Sequence, residues 1–272
     1  MAEEPEQFER SPSPVGRVGQ SILRRRWPEF FVEFILIIVG ILAALYIDGW
    51  MQDRQNRASE AAYLELLTAD LAQIEVQLRD FVSFERSNLE TGANLLHAIT
   101  EEKFADDAQD IGHLLATAGG RRTLGIFSAA YDDLTSTGNL QLISNADLRR
   151  QIVQYFAVTK RAELVIDRNN NAFLDRMFFP FLLDTGVMID LQSSPAPIVR
   201  QADALVREML GPDFAEPVDE IVGRPPGDKV WNDIRRRVLF RMLVSATGIL
   251  LAESSIGDTQ KLREIIEEEL RK

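Results

Sequence analysis

Histidines and carboxylates have the widest chemical reach in this sequence, and their spacing limits what they can do. The two histidines, His97 and His113, each lack a second imidazole or a thiol at the spacing that would place two metal ligands together. Both are expected at the surface or in loops. Asp106, Asp107 and Asp110, followed by Gly112, resemble a calcium loop in composition. Such a loop closes with a bidentate acid near its twelfth position. Thr117 stands there instead, so the expected structure is a solvated acidic turn. Gly119-Gly120-Arg121-Arg122-Thr123 has the glycines and cations of a phosphate loop but lacks its G-K-[ST] ending and a preceding strand. Other carboxylates, Glu267, Glu268 and Glu269 among them, sit in helical patterns where most face water.

The absence of cysteine excludes a disulfide framework, a thiolate metal site, a cysteine nucleophile and a C-x-x-C-H haem attachment. Neither a catalytic residue nor a metal site nor a cofactor is therefore expected. The formal charge of −12 opposes nucleic acid as a partner, because affinity for phosphates comes mainly from Lys and Arg.

The elements that would carry any function begin with an anchor. From Phe30 to Ile47 the sequence reads FFVEFILIIVGILAALYI, with Glu33 its one charge. About eighteen apolar residues is the minimum for a helix that crosses the hydrocarbon layer. Trp27, Tyr46 and Trp50 stand where amphipathic rings favour the headgroup level. Arg10, Arg17, Arg24, Arg25 and Arg26 precede the segment, whereas Arg54 and Arg57 follow it among Asp48, Asp53, Glu60 and Glu65. The positive-inside rule then places the N-terminus in the cytoplasm. The expected organisation is a cytoplasmic tail over residues 1–27, a transmembrane helix over 28–50 and a periplasmic domain over 51–272. A cleaved signal peptide is the competing reading, weakened by the lack of a small-x-small site after the apolar core. Gly40 and Ala44, four apart, form a face on which another membrane helix can approach.

Beyond the anchor, Leu64, Leu67, Leu71, Ile74, Leu78 and Phe81 alternate steps of three and four, a seam for packing on other helices. This helix is expected to run to about Ile99, with Glu65, Asp70, Glu75 and Arg79 on its other faces. Ser144-Asn145-Ala146-Asp147 resembles a capping box that opens a second helix through Leu148, Ile152, Tyr155, Ala162, Ile166 and Phe173, ended by Pro180. Between them, Gly119-Gly120 and Gly138-Asn139 signal turns around a short helix from Ser128 to Thr135. A short helix is expected near Ala202 to Leu210, and a third long one from Asp228 onward, with Gly248 and Gly257 as possible kinks. Its stretch Val238–Ala252 is apolar, but short for a second span and interrupted by Arg241.

The segments EFFVEFILIIVGILAALYIDGWMQDRQ, AAYLELLTADL and YDDLTSTGNLQLISNADLRRQIVQYF resemble a bacterial family of membrane proteins of unknown function, DUF6090. The resemblance covers roughly residues 29–72 and 128–160. It implies an N-terminal membrane helix and a helical extracytoplasmic part, with no catalytic residues. Within it, Tyr131, Asp132, Asp133 and Ser136–Asn139 read either as a binding surface or as a turn in which Gly138 supplies the left-handed conformation.

Met177–Leu183 holds Phe178, Phe179 and Phe181, which either close the core or contact a membrane or partner. The expected architecture is all-α: one N-terminal transmembrane helix plus an extracytoplasmic antiparallel helical bundle. Expected partners are membrane protein subunits and the lipid bilayer. The expected role is a non-enzymatic accessory subunit of an inner-membrane complex, such as a respiratory or photosynthetic assembly. The alternative is a periplasmic ligand-binding or sensory bundle that signals through a separate partner.

Overall fold

The computed structural model describes residues 18–101, 108–187, 197–211, 221, 224, 225 and 227–272, with the side chains of 18–29 and 108–110 left out. Most of the expected tail over 1–27 lies outside the described residues, as do Asp106 and Asp107 of the acidic turn. Trp27 falls within a helix, but its side chain is outside the description.

Among the described residues the chain is all-helical. Its elements are α1 (Val18–Thr100), α2 (Ala108–Ala118), α3 (Ala129–Ser136), a 3₁₀ turn (Asn139–Leu142), α4 (Ala146–Asn169), a π-helical stretch (Asn170–Phe178), α5 (Phe179–Asp184), α6 (Pro197–Leu210) and α7 (Lys229–Leu270). The chain divides into two compact units, Met1–Ser59 and Glu60–Lys272.

In the first unit the side chains from Phe30 to Met51 are exposed. An 18-residue window here has a mean hydropathy of 2.7 with none of it buried. By length and composition this segment and α7 can each cross a membrane; the window in α7 has a mean hydropathy of 1.4 and is one-third buried. A helix satisfies its own backbone donors and acceptors, which is what an apolar surrounding demands.

The second unit is organised by the expected seam of α1. Leu64, Leu67, Leu71, Ile74, Leu78 and Phe81 are each at most 2% exposed. They pack with Ile152, Tyr155, Ala252, Leu262 and Ile266 of α4 and α7 in one cluster. A second cluster gathers Leu95, Ile99, Leu115, Phe178, Leu182 and Trp231. Polar pairs give the sense of packing: Glu75 meets Arg263, Arg86 meets Glu253, and the Ile99 carbonyl accepts from Arg235. Partners descend α7 as they ascend α1, so these two helices run in opposite directions. α4 also runs against α7, since Asn145 reaches Glu269 and Tyr155 reaches Thr259. Consequently α1 and α4 share a direction, and the chain between them travels back through α2 and α3.

Three local expectations need correction. The N-cap of α4 is Asn145, whose Oδ1 accepts from the amides of Asp147 and Leu148; Ser144 instead donates twice to Glu60. An Asn side chain reaches the second and third amides of a helix as well as a serine does, so the cap sits one residue later. Pro180 does not end the helical path. The turn widens over Asn170–Phe178, the Phe179 amide donates five residues back to Leu174, and the proline then occupies the first turn of α5. There its missing N–H costs nothing. Finally, α2 occupies part of a region where only turns and a later helix were expected.

Helix α7 is continuous through Gly248. A Cβ at Gly248 would lie 3.3 Å from the Phe81 ring, so its small size serves close packing.

Candidate interaction site

The residues singled out in the apolar segment face outward. A Cβ added at Gly40 would meet nothing within 4 Å, and Ala44 beside it is exposed. Trp50 is exposed, with the Arg54 guanidinium 5.8 Å above its ring, a cation–π arrangement.

The three phenylalanines around Pro180 separate. Phe178 is fully buried, its ring 5.9 Å from that of Phe173, so it belongs to the core rather than to a contact surface. Its position on the inner side of the π-helical stretch causes this. Phe179 is 43% exposed. Phe181 lies partly buried under the Arg237 guanidinium, 4.0 Å from ring centroid to Cζ. Met177 and Leu183 are exposed nearby in sequence.

Two further apolar faces were not singled out from the sequence. On α7, Leu239, Phe240, Leu243 and Leu250 are exposed, and the spacing of 239, 243 and 250 puts the leucines on one stripe. Helix α6 segregates Ile198, Ala202, Leu205, Val206 and Met209 to one side, and none of its residues is buried. Contiguous apolar surface of this kind marks contact sites.

Behind the α7 stripe lies a buried and heavily bonded side chain. Arg241 has no solvent exposure. It donates to Glu85 at 3.0 Å, to Ser245, and to the carbonyls of Ala118 and Gly120 at 3.0 Å each. The cation thereby joins α1 to α7 and satisfies carbonyls at the C-terminal end of α2, where a positive charge is also favoured by the helix dipole. Gly120, from the segment with the composition of a phosphate loop, thus serves a side chain of its own chain.

Asp70 and Glu75, expected among the water-facing charges of α1, are drawn into the assembly. Asp70 accepts from the Ser128 hydroxyl and the Ala130 amide at the start of α3. Glu75 is 8% exposed and accepts from Arg79, Gln260 and Arg263. Donation by Arg79, then by Gln260, holds its carboxyl below the ordinary range. Periodicity gave the faces of α1, but nothing in it named partners lying nearly two hundred residues ahead.

Gly138 adopts φ 75°, the left-handed conformation expected of a turn. Beside it the Tyr63 hydroxyl donates to Asp133 at 2.6 Å, which ties the turn to α1. His97 and His113 are exposed, and no group of three metal-ligating side chains occurs among the described residues.

Along the other border of α1 and α7 runs a groove of about 670 Å³, lined by Arg79, Val82, Ser83, Arg86, Ser87 and Glu90 of α1 with Glu253 and Ile256 of α7. Positions 79, 83, 86, 87 and 90 form one stripe of the helix surface. It is polar along its rim and apolar at Val82 and Ile256.

No family model, no curated protein and no solved structure matches this chain.

Proposed function

We propose that this chain is a membrane-anchored, non-enzymatic accessory subunit of an inner-membrane complex, with the N-terminal membrane helix and helical extracytoplasmic part that its resemblance to the DUF6090 family implies. Residues 28–50 are its single span, residues 1–27 are cytoplasmic, and residues 51–272 form a periplasmic antiparallel bundle that contacts partner subunits. The observation that carries the reading is the apolar window of mean hydropathy 2.7 with none of its residues buried. In water that surface would be strongly unfavourable, and a bilayer is the environment that relieves it.

The arginines before the segment support the orientation. The apolar stripe of α7, the apolar side of α6 and the exposed Phe179 supply surfaces for partners. Helix α7 is assigned to the bundle rather than to a second span, because Arg241 is buried against Glu85 and Arg235, Arg236 and Arg237 would otherwise stand on the outer side.

Two measurements test this. Protease applied to intact spheroplasts should remove the C-terminal mass, while an uncut C-terminal domain overturns the orientation. Native mass measurement after mild detergent extraction should find the chain with other membrane subunits. Recovery of a lone chain removes the accessory role.

A further inference from the structure

We infer that the groove between α1 and α7 is a binding site for a phosphate group carrying neighbouring hydroxyls. This inference stands apart from the accessory role, since it needs only the folded second unit. The groove falls in the size range of small-molecule sites, and its polar groups are arranged with unused capacity.

Arg79 spends Nε and Nη2 on one oxygen of Glu75, leaving Nη1 available. Arg86 spends Nη2 on Glu253 at 2.6 Å, leaving Nε and Nη1. Each guanidinium is therefore steered by a carboxylate without being saturated, and a planar fork with spare N–H groups suits a phosphate oxyanion.

The two serines are the second observation. Several helical hydroxyls of this chain turn back onto the carbonyl four residues earlier, as Thr68, Thr159, Thr247, Ser255 and Thr259 do, while others, such as Ser59, Thr91, Thr117 and Ser254, do not. Ser83 and Ser87 line the groove and hold no hydrogen bond among the described residues. Their hydroxyls remain available to the same oxyanion. Glu90 at the end of the α1 stripe and Glu253 across the groove on α7 accept from hydroxyls on the rest of the ligand, and Val82 with Ile256 covers its carbon atoms.

The test is calorimetric titration of the full chain in neutral detergent with glycerol 3-phosphate and, in a second arm, with short-chain phosphatidylglycerol. Saturable binding of the soluble ester assigns a solute ligand, and binding of the lipid alone assigns a headgroup. Either supports the site if Arg86→Gln and the double variant Ser83→Ala with Ser87→Ala each lower affinity, the arginine change by about tenfold or more. Both variants alter exposed side chains, and unchanged thermal unfolding confirms that they fold. Absence of saturation in both arms, or affinity that neither variant changes, overturns the inference.

Discussion

Arg241 Nη1 lies 3.0 Å from Glu85 Oε2, and both side chains are almost wholly withdrawn from water. Removing one member of a buried ion pair strands the other, at a cost of about 3–5 kcal/mol. Arg241→Met should therefore lower unfolding stability by that order in denaturant titration. Adding Glu85→Met should restore part of the loss but not all, because the carbonyls of Ala118 and Gly120 also lose their donor. A double variant no more stable than the single one shows that the cost lies with those carbonyls and Ser245 rather than with a stranded Glu85.

The cap of α4 separates two neighbouring residues. Asn145→Ala should cost about 1 kcal/mol through the helix start, and further through its bond to Glu269. Ser144→Ala should cost less, since its hydroxyl bond to Glu60 is solvent-exposed and the amide bond remains. Thermal unfolding of the two variants checks the order, and a larger loss at Ser144 contradicts the assigned cap.

Two glycines should respond with opposite signs. At Gly92 a Cβ would lie 2.7 Å from Met242 Cγ, so Gly92→Val should destabilise the bundle by about 1–3 kcal/mol through overpacking. At Gly257 nothing lies within 4 Å, and Gly257→Ala should stabilise α7 by about 0.5–1 kcal/mol. Denaturant midpoints of both variants decide the matter.

Gly40→Leu should leave the second unit's unfolding unchanged, because the added Cβ would meet nothing within 4 Å beyond its own helix backbone and chain neighbours. If that face meets another membrane helix, the larger side chain should reduce recovery of partner subunits in detergent extracts. Unchanged recovery takes Gly40 out of the interface.

Glu75 sets an acid dependence. Its carboxyl is held below the ordinary value of 4.5 by donation from Arg79 and Gln260. The ionised form is thus favoured by folding, so its contribution is fully present above pH 4.5 and is lost as pH falls through the lower folded-state value. The stability gap between wild type and Glu75→Gln should stay level at neutral pH and narrow below 4.5. A gap that widens toward acid overturns this assignment.

Much of the helical framework was legible because burial imposes a period. The seam from Leu64 to Phe81, the start of α7 at Asp228 and the turn at Gly138 each follow from local chemistry. Other features depended on residues far away. Glu75 and Asp70 look like solvated charges until Arg263 and Ser128 arrive opposite them. Pro180 looks like a stop until the wider turn before it places the proline where no amide is needed. The groove was invisible for the same reason, since half of its meaning lies in how Glu253 of α7 faces Arg86 of α1.

The pairing of Glu85 with Arg241 spans 156 positions of sequence. On a ribosome, α1 is synthesised long before the residues that cover it, and such distant closure is slow and exposes greasy surface in the interval. The bundle would thus stay open along that seam until α7 has followed α1 out of the ribosome, which makes the interval between the two helices the vulnerable stage of its folding.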